Sequence, residues 1–301
     1  MTIDEVIMLR RPERTGTLAE THGASRIALF GRWSLLALPL VGILVIAPSG
    51  TSLPAGLPAP AAVKTPGIYH DPVQIERASH GLVTSTNWSG YADTGPTFTS
   101  VVGTWVQPAA SCTSNKVTAA SFWVGIDGFL KSSGTVEQAG TDSDCAKRTK
   151  RVPGGPTYYA WWEMFPALSN DLSKATFPVS AGDTISAQVT SSGSTFTLTV
   201  SDVSKGWSFS PPPQTASSAN ESSAEWIAEA PSICRASKCA EAKLTNFGTV
   251  SFSGANANGS VISAASFSDN QIDMTKGKKM VKAGASALSG GSAFTITWHH
   301  N

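Results

Sequence analysis

Two carboxylates stand four residues apart in the stretch Ser222-Ser223-Ala224-Glu225-Trp226-Ile227-Ala228-Glu229-Ala230-Pro231. Side chains alternate along a strand, so Glu225, Ile227 and Glu229 point one way and Trp226 and Ala228 the other. With Trp226 in a core, both glutamates reach the opposite surface, where a carboxylate on a groove wall is a natural acid–base group. The same pattern also describes an exposed sheet face with two solvated acids. A polar neighbour sits in Val136-Glu137-Gln138-Ala139-Gly140, which turns Gln138 away from Glu137. Glu163 shares a face with Tyr159, Trp161 and Phe165, a stripe that suits either an aromatic-lined cleft or ordinary packing.

Other chemistries lack their residues. From Ser85 onward the only histidines are His299 and His300 at a chain end, so a serine or cysteine nucleophile has no base on a rigid element. Without a Cys-x-x-Cys pair no zinc site is expected, and neither is any other metal or cofactor. Asp127-Gly128 is the one turn that looks like half of a two-aspartate peptidase site, and it equally suits a plain turn after Phe122–Ile126. Residues 85–301 carry 15 Lys/Arg and 15 Asp/Glu, a balance with no nucleic-acid- or membrane-binding pattern. The clusters Lys147, Arg148, Lys150, Arg151 and Lys276, Lys278, Lys279, Lys282 read as solvated loops.

The elements that must position these groups are strands. Short alternating runs recur at 100–107, 119–126, 157–165, 184–190, 195–200, 224–229, 249–252 and 293–298, punctuated by Gly, Ser, Asn and Asp. With no long helical pattern, that spacing predicts an all-β sandwich or barrel, and residues 85–301 suit one domain. Upstream, the apolar run 33–47 follows Arg26 and Arg32 and is short of the roughly 20 residues a bilayer span needs. It gives way to small and Pro-rich residues, so 1–47 reads as a signal peptide, with a signal anchor as the alternative. Residues 48–84, with Lys64, His70, Arg77 and His80, read as a linker or propeptide. A secreted monomer with no stable membrane association after processing is expected. Four cysteines, Cys112, Cys145, Cys234 and Cys239, then imply two disulfides. Of three pairings, Cys112–Cys145 with Cys234–Cys239 is favoured, the latter closing a short loop just after the 224–229 strand.

The segments Asn87–Tyr91, Phe122–Gly128, Glu137–Gly140, Tyr158–Pro166, Gly182–Ile185 and Asn220–Glu229 together resemble the glutamic peptidases, or eqolisins, secreted acid-acting endopeptidases. The pieces run in the family's order and cover most of residues 86–230. The resemblance implies a jelly-roll-like, concanavalin-like sandwich of two antiparallel sheets, one bent into a groove for protein or peptide substrates. It also implies a catalytic Gln–Glu pair. The glutamine carries over to Gln138 and the glutamate to Glu229, with Glu225 on the same face as the competing position. Trp88, Trp123, Asp127 and Glu163 match supporting groove positions. Tyr159 stands where fungal members have an aspartate, so the acidic network around Glu163 is expected to differ. The implied mechanism is direct attack by water with no covalent intermediate, Glu229 moving the proton and Gln138 donating to the oxyanion.

Two other readings of the same residues are a retaining concanavalin-like glycosidase using Glu225 and Glu229, and a non-enzymatic carbohydrate-binding sandwich with a Trp-rich stacking face. Against the first, four strand residues separate the two backbones by roughly 13 Å, whereas a retaining pair holds its carboxyls about 5 Å apart.

Overall fold

The computed structural model describes residues 67–79, 82–113, 115–150, 154–235, 238–277 and 280–301. The 33–47 run, and with it the signal-peptide reading, lies outside the described residues. In chain order the strands are β1 Gly67–Tyr69, β2 Ile75–Ser79, β3 Leu82–Ser85, β4 Trp88–Thr94, β5 Ser100–Val106, β6 Ser121–Ile126 and β7 Val136–Ala146. They continue with β8 Gly155–Phe165, β9 Asn170–Asp171, β10 Thr184–Ser192, β11 Thr195–Asp202, β12 Trp207–Phe209, β13 Gln214–Thr215 and β14 Ser223–Glu229. The last are β15 Ser232–Arg235, β16 Lys238–Glu241, β17 Thr249–Ala257, β18 Ser260–Val261, β19 Ser268–Lys276, β20 Met280–Ala285 and β21 Phe294–Trp298.

One antiparallel ladder runs β9-β8-β7-β6-β14-β4-β19 and continues through β20-β21-β17-β5-β10-β11. It folds over on itself as a two-layer sandwich, and Trp105, Val189 and Leu198 of one half join Phe122, Val124 and Trp226 of the other in the main core. The halves approach closely at Gly103, where a Cβ would stand 2.8 Å from the Trp226 ring and 2.9 Å from Val124. A side chain there would hold the layers apart.

Trp226 is fully buried in this core and its Nε1 donates to the Val102 carbonyl at 2.8 Å, which satisfies the indole's one polar atom. Its inward position sends Glu225, Ile227 and Glu229 to the front face, as the strand period requires. That face is not open: both glutamates are fully buried, which corrects the reading of an exposed sheet with solvated acids. A second apolar cluster there includes Trp88, Trp123, Trp161, Ile227 and Val136.

The described part of 48–84, the segment read as linker or propeptide without sandwich strands, contributes β1, β2 and all of β3 but Ser85. β1 pairs with β15, β2 with β3, and β3 runs parallel to β19. These strands are three to five residues long and β2 is mostly exposed, so they show no apolar alternation to read. The disulfides are Cys112–Cys145 and Cys234–Cys239, the favoured pairing.

Candidate active site

Register across the front face sets three rows of side chains. Glu163, Gln138, Gly125 and Glu225 form one row; Trp161, Gly140, Trp123 and Ile227 the next. Tyr159, Asp142, Ser121, Glu229 and Trp88 form the third. Gly125 makes the first row possible, because a Cβ there would lie 2.9 Å from the Trp123 ring and 3.2 Å from the Gln138 Cβ. Two strands and one β-period pattern thus bring a buried amide and a buried carboxyl to the same surface.

Gln138 Nε2 donates to the main-chain carbonyl of His70 at 2.8 Å, while its Oε1 is buried with no protein partner among the described residues. Glu229 Oε2 accepts from Trp123 Nε1 at 2.9 Å, and its Oε1 is likewise buried without a hydrogen bond. Burial pushes the Glu229 carboxyl well above its ordinary range; the charge of His70 opposes the rise, Asp71 and Glu163 add to it, and the Trp123 hydrogen bond works against it. Glu163 Oε2 accepts from the His70 backbone N–H at 3.0 Å and lies 2.6 Å from the His70 ring Nδ1. Burial raises the Glu163 pKa, partly offset by these bonds.

The sequence profile of the Peptidase A4 family matches residues 86–298. The chain belongs to that family. Scytalidopepsin B of Scytalidium lignicola is 33% identical over 161 residues, which are 54% of this chain and 56% of that protein. The aligned part therefore spans little more than half of that relative's length. Scytalido-glutamic peptidase with a peptide-based transition-state analogue superposes with a TM-score of 0.58 at 24% identity, covering 75% of this chain and 100% of that one. SCP-B, an eqolisin solved with the tripeptide Ala-Ile-His, gives 0.55 at 23% identity with the same coverage. These two likenesses establish a common fold, and the resemblance to glutamic peptidases read from the ordered segments is borne out by the family match.

In this Peptidase A4 member Tyr159 lies at the position expected to differ from fungal relatives. Its hydroxyl is 2.9 Å from both Asp142 Oδ2 and Asp144 Oδ2, so the phenol oxygen links two carboxyls of β7. Asp142 Oδ1 also accepts from Trp161 Nε1 at 2.7 Å. Burial and the Asp142 charge raise Asp144 well above the usual carboxylate range.

Trp88 stands edge-on to Trp123 at 4.9 Å between ring centroids and donates its Nε1 to the Asp71 carbonyl at 3.0 Å. Asp127 is a clamp. Its Oδ2 accepts from the Asn220 and Glu221 N–H groups at 2.7 and 2.8 Å, and its Oδ1 from the Ser222 N–H and hydroxyl at 2.9 and 2.7 Å. It thereby fixes the loop that leads into β14. Glu225 is raised by burial, and the charges that bear on it are those of Asp127, Glu137 and Asp93, whereas His70 acts on Glu229.

Sequence reasoning passed over Asp142, Ser121 and His70. A signal existed for the first two, since Asp142 is two periods beyond Gln138 and Ser121 one before Trp123 on their strands. His70 had none, because its approach to the site depends on the path of a chain segment that lacks a pattern of its own.

Proposed function

We propose that this chain is a secreted, acid-acting endopeptidase that hydrolyses peptide bonds in protein substrates by direct attack of water, and that it works as a monomer after loss of its N-terminal segment. The observation that carries the reading is the Gln138 amide on a peptide carbonyl, with the Glu229 carboxyl on the same wall. Family membership supports the reaction class, and the related SCP-B binds a tripeptide, Ala-Ile-His. Among the described residues no helix is long and apolar enough to cross a membrane.

Glu229, ionised, takes a proton from water as the oxygen attacks the carbonyl carbon. The same carboxyl returns the proton to the departing nitrogen. Gln138 holds its N–H on the carbonyl oxygen, and that bond strengthens as negative charge develops. A carboxylate in its place would repel the oxyanion; a neutral amide does not. Trp123 fixes the rotamer of Glu229, and Trp88 steadies the chain on the leaving side. Among the described residues no nucleophilic side chain is hydrogen-bonded to the carbonyl held by Gln138, so the reaction proceeds without a covalent intermediate.

Incubating the protein with denatured casein and with β-glucan between about pH 2 and 6 tests this against the carbohydrate readings, the window being where carboxyl groups change charge. Peptide fragments are the expected result; reducing sugar alone, or neither product, overturns the proposal.

A further inference from the structure

We propose that the groove selects a protonated histidine immediately before the scissile bond, and that the chain's own His70–Asp71 bond is its first substrate. This rests on the endopeptidase reading above and names its substrate class.

Residues 67–73 lie in the groove as a substrate would. On one side β1 pairs residue for residue with β15, Gly67 with Cys234, Ile68 with Ile233 and Tyr69 with Ser232. On the other, Trp88 Nε1 holds the Asp71 carbonyl at 3.0 Å, Asn87 Nδ2 holds the Asp71 and Pro72 carbonyls at 3.3 and 3.1 Å, and the Val73 N–H donates to Gly128 at 3.1 Å. Between these anchors the His70 carbonyl alone receives the Gln138 amide. A chain gripped on both sides of one activated carbonyl defines which bond is presented.

The His70 side chain sits in a built pocket. Its ring stacks on Trp161 at 3.5 Å between centroids and 6° between planes. Nδ1 is 2.6 Å from Glu163 Oε2; Nε2 is 3.1 Å from Ser121 Oγ and 3.7 Å from Asp142 Oδ1. An imidazolium can donate from both nitrogens at once, to Glu163 on one side and to Ser121 on the other, and a cation over an indole face gains further. The charged groups bearing on it are Glu163 from β8, Asp142 and Asp144 from β7, Glu229 from β14 and Asp171 from β9, with Lys174 over the Tyr159 ring as the nearby cation. Burial would depress the His70 pKa, but Asp142, Glu163 and Glu229 outweigh it and hold the ring well above its ordinary value. An apolar side chain there would leave the buried Glu163 Oε2 with the backbone N–H of that residue as its donor and no charged partner.

In the cleavage, the water oxygen bonds to the His70 carbonyl carbon and the bond to the Asp71 nitrogen breaks. One water proton passes through Glu229 to that nitrogen. The products are a chain ending in the His70 carboxylate and one beginning with the Asp71 amine.

The test uses the full chain and its processed form. Shifted to about pH 5.5, where free histidine is mostly protonated and a raised carboxyl is more ionised than at lower pH, the full chain is expected to yield a new N-terminus at Asp71, and His70→Gln to slow that cut at least about tenfold. Processed enzyme is expected to cleave a peptide containing Ile-Tyr-His-Asp-Pro at least about tenfold faster, by kcat/KM, than the same peptide with Gln or Phe for His. A mature terminus other than Asp71, or normal processing of His70→Gln, overturns the self-cleavage. Equal rates on the three peptides while casein is still digested overturn the histidine pocket and leave the endopeptidase reading standing. Failure to cut casein or any peptide defeats both.

Discussion

The side-chain amide of Gln138 meets the main-chain carbonyl of His70 at 2.8 Å, a neutral donor placed on the group that a peptidase must polarise. Gln138→Ala removes that donor, and Glu229→Gln removes the carboxyl that moves the proton. Each is expected to lower kcat at least about a hundredfold, the usual loss for an oxyanion donor or a general base. Glu225→Gln, whose charged neighbours are Asp93, Glu137 and Asp127, should cost far less. Circular dichroism confirms that each variant folds, and turnover of denatured casein is the readout. Normal turnover in Glu229→Gln with a dead Glu225→Gln would move the base to Glu225.

Glu229 acts as a base only when ionised, and burial raises its pKa well above the ordinary value. The acidic limb of the kcat profile, which reports the enzyme with its groove occupied as it is here, should therefore lie above the usual carboxylate range. Trp123 Nε1 opposes that rise through its hydrogen bond. Trp123→Phe keeps most of the packing and loses the bond, so the limb should move to higher pH. A profile unchanged by Trp123→Phe would assign the limb to another group.

Most of the fold was legible because it obeys period two. Trp226 inward and Glu229 outward follows from their odd separation, three positions, on one strand, and it holds in the structure. The depth of the site did not follow, since two acids on a sheet face look solvated until chain from another part of the sequence covers them. Over Gln138 and Glu229 that cover comes from residues 67–73, where the register of β1 with β15 depends on backbone pairing rather than on side-chain type. Tyr159 shows the same limit at a smaller scale. Its replacement of an aspartate predicts an altered network, but only the structure shows the hydroxyl bridging Asp142 and Asp144.

Buried carboxyls make stability depend on pH. Burial, with Asp269 nearby, raises Asp93 from 3.8 to about 8, and burial with Asp127 raises Glu137 from 4.5 to about 8. Each is therefore bound to its proton more tightly in the folded state than in the unfolded one. The stability they contribute is full below about pH 4 and is lost as pH rises from there through about 8. Thermal unfolding at several pH values should show a falling Tm over this window, and Asp93→Asn with Glu137→Gln should flatten the fall. A Tm that rises from acid to neutral pH would contradict the assignment.

Asp127 permits a test that separates scaffold from chemistry. It sits at φ 71°, in the left-handed region that Asp and Asn tolerate better than most residues, and it accepts four hydrogen bonds from Asn220, Glu221 and Ser222. Asp127→Asn preserves shape and backbone tolerance but turns an amide nitrogen toward N–H donors. Asp127→Ala orphans all four donors and adds backbone strain. Charge-assisted bonds and orphaned buried donors each count for about 1–3 kcal/mol and are not additive, so Asp127→Ala should destabilise by about 3–5 kcal/mol and Asp127→Asn by about 1–3. The Asp127 charge is also one cause of the raised Glu137 pKa, so either variant should lower that pKa and soften the loss of stability toward neutral pH. Because the Asp127 carboxylate holds the loop before β14 and has its hydrogen bonds there rather than to the 67–73 chain, the folded fraction of Asp127→Asn should keep its kcat within a fewfold. Active-site titration before the rate measurement supplies the folded fraction. A hundredfold loss of kcat in fully folded Asp127→Asn would place this carboxylate among the reacting groups instead of in the clamp.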